Sequence, residues 1–153
     1  MHTPKLYLAG KISANDWRHP IVPALRGHTW AAGPIAMPDY TYVGPFFVAC
    51  DQHGCGPIPG CDADVTALQV IENNLSAIKS ATLILAYVTT NNCYGTLFEI
   101  GYARALGKRV VMAFAPNINP TQYWFSAGGC SAVYTFVSQR GLNAILAYEM
   151  SAA

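Results

Sequence analysis

Two continuous apolar runs, residues 82–88 and 109–115, flank a stretch from Gly95 to Gly107 in which almost every residue is apolar or small. Runs of that length without alternation are what strands buried on both faces look like, and a helix between two of them is the parallel crossover unit of an α/β protein. This feature excludes most all-helical and all-antiparallel folds. It also isolates one residue: the helix carries a single carboxylate, Glu99, near its start. Thr96 followed three residues later by Glu99 reads as a capping box, with the hydroxyl and the carboxylate each satisfying an orphan amide. The same glutamate falls at the carboxyl end of the preceding strand, where open parallel sheets place their ligand crevice. Gly95 and Gly101 would let a ligand or a neighbouring strand come close to the backbone.

The rest of the chain extends the pattern. Residues 5–9 read as a first strand, and Gly10 closes it. The loop that follows, through Lys11, Ser13, Asn15, Asp16 and Arg18, is rich in polar groups and would overhang the crevice if the first strand is central. Lys11, Ser13, Asn15 and Arg18 suit a phosphate or sugar hydroxyls. The loop is equally readable as a solvated turn in which Asp16 caps a short helix toward Leu25.

Residues 27–61 are dense in glycine and proline, which predicts a long loop region with one strand at 40–43 or at 46–49. Long ordered loops in compact domains are usually functional. Tyr40, Tyr42, Phe46 and Phe47 offer faces for a planar base, although aromatics of this kind more often fill a core.

Residues 62–80 form the clearest amphipathic helix. Val65, Leu68, Ile71, Leu75 and Ile78 recur at three- and four-residue steps, and Asp62 is a suitable cap. Asn74 lies beside that apolar stripe and needs a partner, either a backbone group or a ligand. A short helical piece at 123–127, a weak strand at 133–137 and a final helix at 141–150 complete the alternation. The pattern predicts one domain built on a doubly wound parallel sheet of about five strands.

Composition narrows the function. Charged residues make up only 11% of the 153, well below the roughly 25% of an average soluble domain, so part of the surface is expected to be covered by other subunits. The net charge of +1 gives no basic cluster for a nucleic-acid polymer. No apolar run approaches the ~20 residues needed to span a bilayer. The amino terminus, Met1-His2-Thr3-Pro4-Lys5, lacks the apolar region of a signal peptide, which predicts a cytoplasmic protein with reduced thiols at its five cysteines. Cys50, His53, Cys55 and Cys61 would suffice for a structural zinc. Their spacing is tighter than usual and no second paired knuckle follows, so no metal is expected.

Three segments carry a resemblance: Lys5-Leu6-Tyr7-Leu8-Ala9-Gly10, Asn73-Asn74-Leu75-Ser76-Ala77-Ile78, and Tyr94-Gly95-Thr96-Leu97-Phe98-Glu99-Ile100-Gly101-Tyr102-Ala103. Together they resemble the nucleoside 2-deoxyribosyltransferase family. The resemblance implies a flavodoxin-like fold and no cofactor. It also implies a homo-oligomer, dimer or larger, whose neighbouring subunit completes the site, with the tail from Tyr148 as a candidate contributor. It makes Glu99 the nucleophile that takes the sugar from a deoxyribonucleoside as a covalent ester, and Tyr7 the residue that orients it. A free base, or water, then accepts the sugar.

The family usually has an aspartate where this chain has Asn74. An amide can hydrogen-bond a base edge yet cannot hand over a titratable proton, so the leaving base would either be assisted by Asp62, Asp64 or Asp51 or need little help. Two other functions fit the same residues. One is a nucleoside 5'-monophosphate N-glycosidase, with Lys11, Ser13 and Arg18 around the phosphate; the other is a nucleotide-binding sensor without turnover.

Overall fold

The computed structural model describes residues 3–13, 15–28, 32–46 and 66–152. Six strands form one sheet: β1 (Lys5–Ala9), β2 (Ile35–Ala36), β3 (Thr41–Gly44), β4 (Leu83–Val88), β5 (Arg109–Phe114) and β6 (Ala132–Tyr134), in the order β2-β3-β1-β4-β5-β6. Every pairing is parallel except β2 with β3. The five parallel strands therefore run second-first-third-fourth-fifth, which is the flavodoxin-like doubly wound order. The sixth strand, absent from the sequence-based expectation, is a two-residue antiparallel edge. It is too short to leave a periodic signal.

The two apolar runs that announced the fold become β4 and β5, and β4 is buried along its whole length. Helix α1 (Ala67–Ser80) packs on β3 and β1, and α2 (Tyr94–Ala105) packs on β4 and β5 and against α1. Helix α3 (Trp124–Gly128) lies against α2. Helix α4 (Gln139–Ser151) instead borders the connection that leaves β1, where the Gln139 amide donates to the Trp17 carbonyl at 3.1 Å. At the other end of α4 the buried Glu149 is held by Arg109 of β5 and by the Tyr134 hydroxyl of β6.

Helix starts differ from the local patterns in an instructive way. The reciprocal capping box belongs to Thr66 and Gln69 at the head of α1, while Asp62 lies outside the described residues. Helix α2 begins at Tyr94 after Cys93, with its first helical bond from Leu97 N to Cys93 O. Thr96 is therefore the third helical residue, buried, and no box joins it to Glu99. The short helix expected after Asp16 is a single 3-10 turn at Pro23–Leu25.

Candidate active site

β1 carries the fully buried Tyr7, and its hydroxyl donates to Glu99 Oε1 on α2 at 2.9 Å. The pairing of β1 with β3 makes room for that ring. Register slips between Leu6, which faces Tyr42, and Tyr7, which faces Gly44. A Cβ on Gly44 would stand 3.2 Å from the Tyr7 ring and 3.4 Å from the Ala77 methyl, so a glycine is required beside the tyrosine.

Glu99 is the sixth residue of α2, so its side chain, which leans toward the helix start, reaches the sheet end from the second turn. The dipole of α2 does little to hold it ionised, since such effects fade beyond the first turn. The carboxyl pKa is pushed up to about 7, chiefly by burial; the Tyr7 hydrogen bond and the Arg18 charge act in the opposite direction. A carboxylate in this state is poised between its two protonation forms near neutrality.

By type and pattern Arg18 suits a phosphate or sugar hydroxyls and Asp16 a helix cap, both at the surface of the loop. Both are buried. Arg18 Nη1 donates to both Asp16 oxygens at 2.9 and 3.1 Å, Nε to the Leu8 carbonyl at 2.8 Å, and Nη2 to the Gly10 carbonyl at 2.6 Å. Asp16 also accepts from the amides of Ser13 and Arg18. A buried charge survives only with this kind of pairing, and here the pairing ties the loop to the end of β1. Gly10 marks the tightest point: a Cβ there would meet the Tyr87 carbonyl at 2.8 Å and the Trp17 ring at 2.9 Å, and its φ is +156°.

Lys11 and Ser13 do face outward. With Asn15, Trp17, Thr89 and Thr90 they line a hollow of about 370 Å³ beyond the carboxyl ends of β1 and β4. Within its wall the Trp17 indole N–H is buried and has no hydrogen-bond partner among the described residues. Trp17, Thr89 and Thr90 were missed from the sequence, where a tryptophan in a polar loop gives no sign of its direction.

Asn74 and Phe46 meet in a second groove, of about 240 Å³, between α1 and β3, shared with Val43, Asn73 and Ala77. Asn74 is half-buried, and among the described residues its amide has no hydrogen-bond partner. Between this groove and the Tyr7 ring lies Gly44, whose Cβ would meet both that ring and the Ala77 methyl. The structure thus joins Tyr7 with Glu99 and Asn74 with Phe46 as two adjacent pairs. Phe46 packs edge-on to Tyr42, with ring centres 5.4 Å apart. Tyr40 and Tyr42 are core residues, as their burial shows. A methyl on Gly95 or Gly101 would meet no atom within 4 Å, so no neighbouring strand explains either glycine. Asp51, Asp62, Asp64, Phe47 and the cysteine-histidine cluster at 50–61 lie outside the described residues.

Among the described residues no helix is long and apolar enough to cross a membrane. No match is found among curated proteins. Among solved structures the chain is similar to the CMP N-glycosidase BcmB of Clostridium botulinum, at 22% identity and a TM-score of 0.41, over 52% of this chain and 72% of that one. The model of the nucleoside 2-deoxyribosyltransferase family matches residues 6–130. That span runs from the strand carrying Tyr7 past the helix carrying Glu99, and over it the chain belongs to the nucleoside 2-deoxyribosyltransferase family.

Proposed function

We propose that the protein transfers 2-deoxyribose between nucleobases through a covalent ester on Glu99. The observation that carries this reading is the Tyr7–Glu99 hydrogen bond at the carboxyl end of the sheet, which fixes one carboxylate oxygen and leaves the other available. Glycosyl bonds break through an oxocarbenium-like transition state, which a carboxylate both stabilises and captures. In the first step a Glu99 oxygen bonds to the anomeric carbon as the C–N bond breaks. The electron pair leaves with the base, which takes a proton from solvent. In the second step a nitrogen of the incoming base attacks the same carbon, the ester bond breaks, and the incoming base gives up its proton. Asn74 would hold a base edge by hydrogen bonding, with Phe46 stacking beside it.

A second reading is favoured by the hollow at Lys11, Ser13, Asn15, Trp17, Thr89 and Thr90. An ammonium and hydroxyls suit a 5'-phosphate, which points to a nucleoside 5'-monophosphate N-glycosidase with water as acceptor. Assembly into a homo-oligomer fits both readings. Tyr94 and Phe98, one turn apart on α2, are 77% and 61% exposed, and Trp124 and Phe125 of α3 are 72% and 80% exposed. Large apolar faces of this kind mark contact surfaces.

The deciding experiment is chromatographic detection of base released from deoxyribonucleosides and their monophosphates, with and without a second free base, against Glu99→Ala. Exchange that needs the added base supports the transferase. Release from monophosphates in its absence supports the glycosidase, and silence throughout leaves a nucleotide-binding sensor.

A further inference from the structure

We infer that the groove between α4 and the turn leading into β3 is a second small-molecule site, which takes an unphosphorylated nucleobase or nucleoside by its N–H edge. The inference stands apart from the reading of Glu99 and adds a site to it. The groove has a volume of about 470 Å³, within the range of ligand sites, and is lined by Asp39 and Tyr40 before β3, by Asn143, Leu146 and Met150 of α4, and by Ile21. It stands at the amino ends of the strands. Tyr40 precedes Thr41, which pairs with Lys5 at the start of β1, and Met150 follows Glu149, which Arg109 holds at the start of β5. Tyr7 and Glu99 meet at the other end of the sheet, so the groove does not extend their site.

The polar side chains of the groove reach it unpaired. Tyr40 is 9% exposed, and its hydroxyl has no hydrogen-bond partner among the described residues, yet unlike the Trp17 N–H it is not sealed from solvent. A nearly buried hydroxyl of this kind needs a partner. Burial, and after it the Asp39 charge, push the phenol pKa above its ordinary value, so at neutral pH the group is a donor. Asp39 and Asn143 are exposed and likewise without hydrogen-bond partners among the described residues.

These groups select the ligand. A carboxylate with no cation among the described lining residues repels phosphates and acids, which leaves neutral or cationic molecules. An alkylamine would satisfy Asp39 alone and leave the Tyr40 hydroxyl without an acceptor. An accepting carboxylate, a donating hydroxyl and an amide that does both match the mixed donors and acceptors along the edge of a base such as adenine or cytosine. Ile21, Leu146 and Met150 supply the apolar surface for its ring faces.

The chain has four methionines, Met1, Met37, Met112 and Met150, so methyl-labelled methionine gives a simple NMR spectrum. Met150→Leu identifies the groove signal, and the fully buried Met112 is the reference. The protein is titrated with adenine, cytosine, deoxyadenosine, deoxyadenosine 5'-monophosphate and butylamine. A base or nucleoside should shift the Met150 signal saturably, and the shift should persist in Glu99→Gln. Asp39→Asn and Tyr40→Phe should each weaken that binding about 10-fold. Asp39 lies at the surface, so its variant serves even where Tyr40→Phe disturbs the core. A Met150 signal unmoved by every base and nucleoside overturns the proposal, as does a shift produced equally by the monophosphate or the amine. A shift lost in Glu99→Gln, or one that Asp39→Asn leaves unchanged, overturns it as well.

Discussion

The Tyr7 hydroxyl and the Glu99 carboxylate, 92 positions apart in the chain, meet at 2.9 Å across the junction of β1 and α2. The tyrosine is fully buried and cannot follow the carboxylate elsewhere, so the hydrogen bond fixes the position of the glutamate and favours its ionised form.

The rate of base release should climb as pH rises through about 7, because only ionised Glu99 attacks. Tyr7→Phe removes the group that favours ionisation, so the rising limb moves to higher pH. The loss of a hydrogen bond to a charged group should also cost about 10- to 100-fold in kcat. A pH–rate profile of both proteins tests this, and an unmoved limb would count against Tyr7 as the orienting group.

Glu99 should weaken the fold at neutral pH. Its folded pKa, about 7, lies above the ordinary 4.5, so the stability it contributes is complete below about pH 4.5 and is lost as pH rises through about 7. Glu99→Gln does not titrate, and it should gain on the wild type by about 1–3 kcal/mol between about pH 4 and pH 8. Urea unfolding at the two pH values measures the difference.

Gly10→Ala and Gly44→Ala should fail in different ways. The first drives a methyl into the Tyr87 carbonyl and the Trp17 ring, with strain from its positive φ, and should cost about 1–3 kcal/mol or more in stability. The second is strained by its own positive φ of +147° and also presses on the Tyr7 ring at 3.2 Å, so a loss of kcat should accompany its loss of stability. Calorimetry and turnover on the same preparations separate the two.

Phe98→Glu places a charge in the exposed aromatic face of α2 and α3 and should reduce an oligomer to single chains of 16.5 kDa in sedimentation. If the neighbouring chain completes the site, activity falls with it. A variant that keeps the native mass would show that the contact lies on another face.

The buried strands were legible because a strand covered on both faces must be apolar throughout, as 82–88 and 109–115 are, and because the helix between them is apolar nearly all round. Glu99 stood out for the same reason, being the one carboxylate in a segment otherwise suited to burial. The two-residue β2 was invisible, since it is shorter than any period.

Three matters were decided only by the tertiary structure. Thr96 and Glu99 spell a capping box, yet tertiary contacts bury Thr96 and direct Glu99 to Tyr7, and the helix is capped three residues earlier, at Cys93. Arg18 looks like a surface cation in a polar loop, yet Asp16 and two carbonyls at the end of β1 make its burial sustainable. Trp17 received no role from the sequence, and its unpaired N–H now lies in the wall of the hollow. The sequence by itself determined the order and type of the main elements, because period and burial are recorded residue by residue. Which polar groups meet depends on strand order and register, and those arise only when distant segments are brought together.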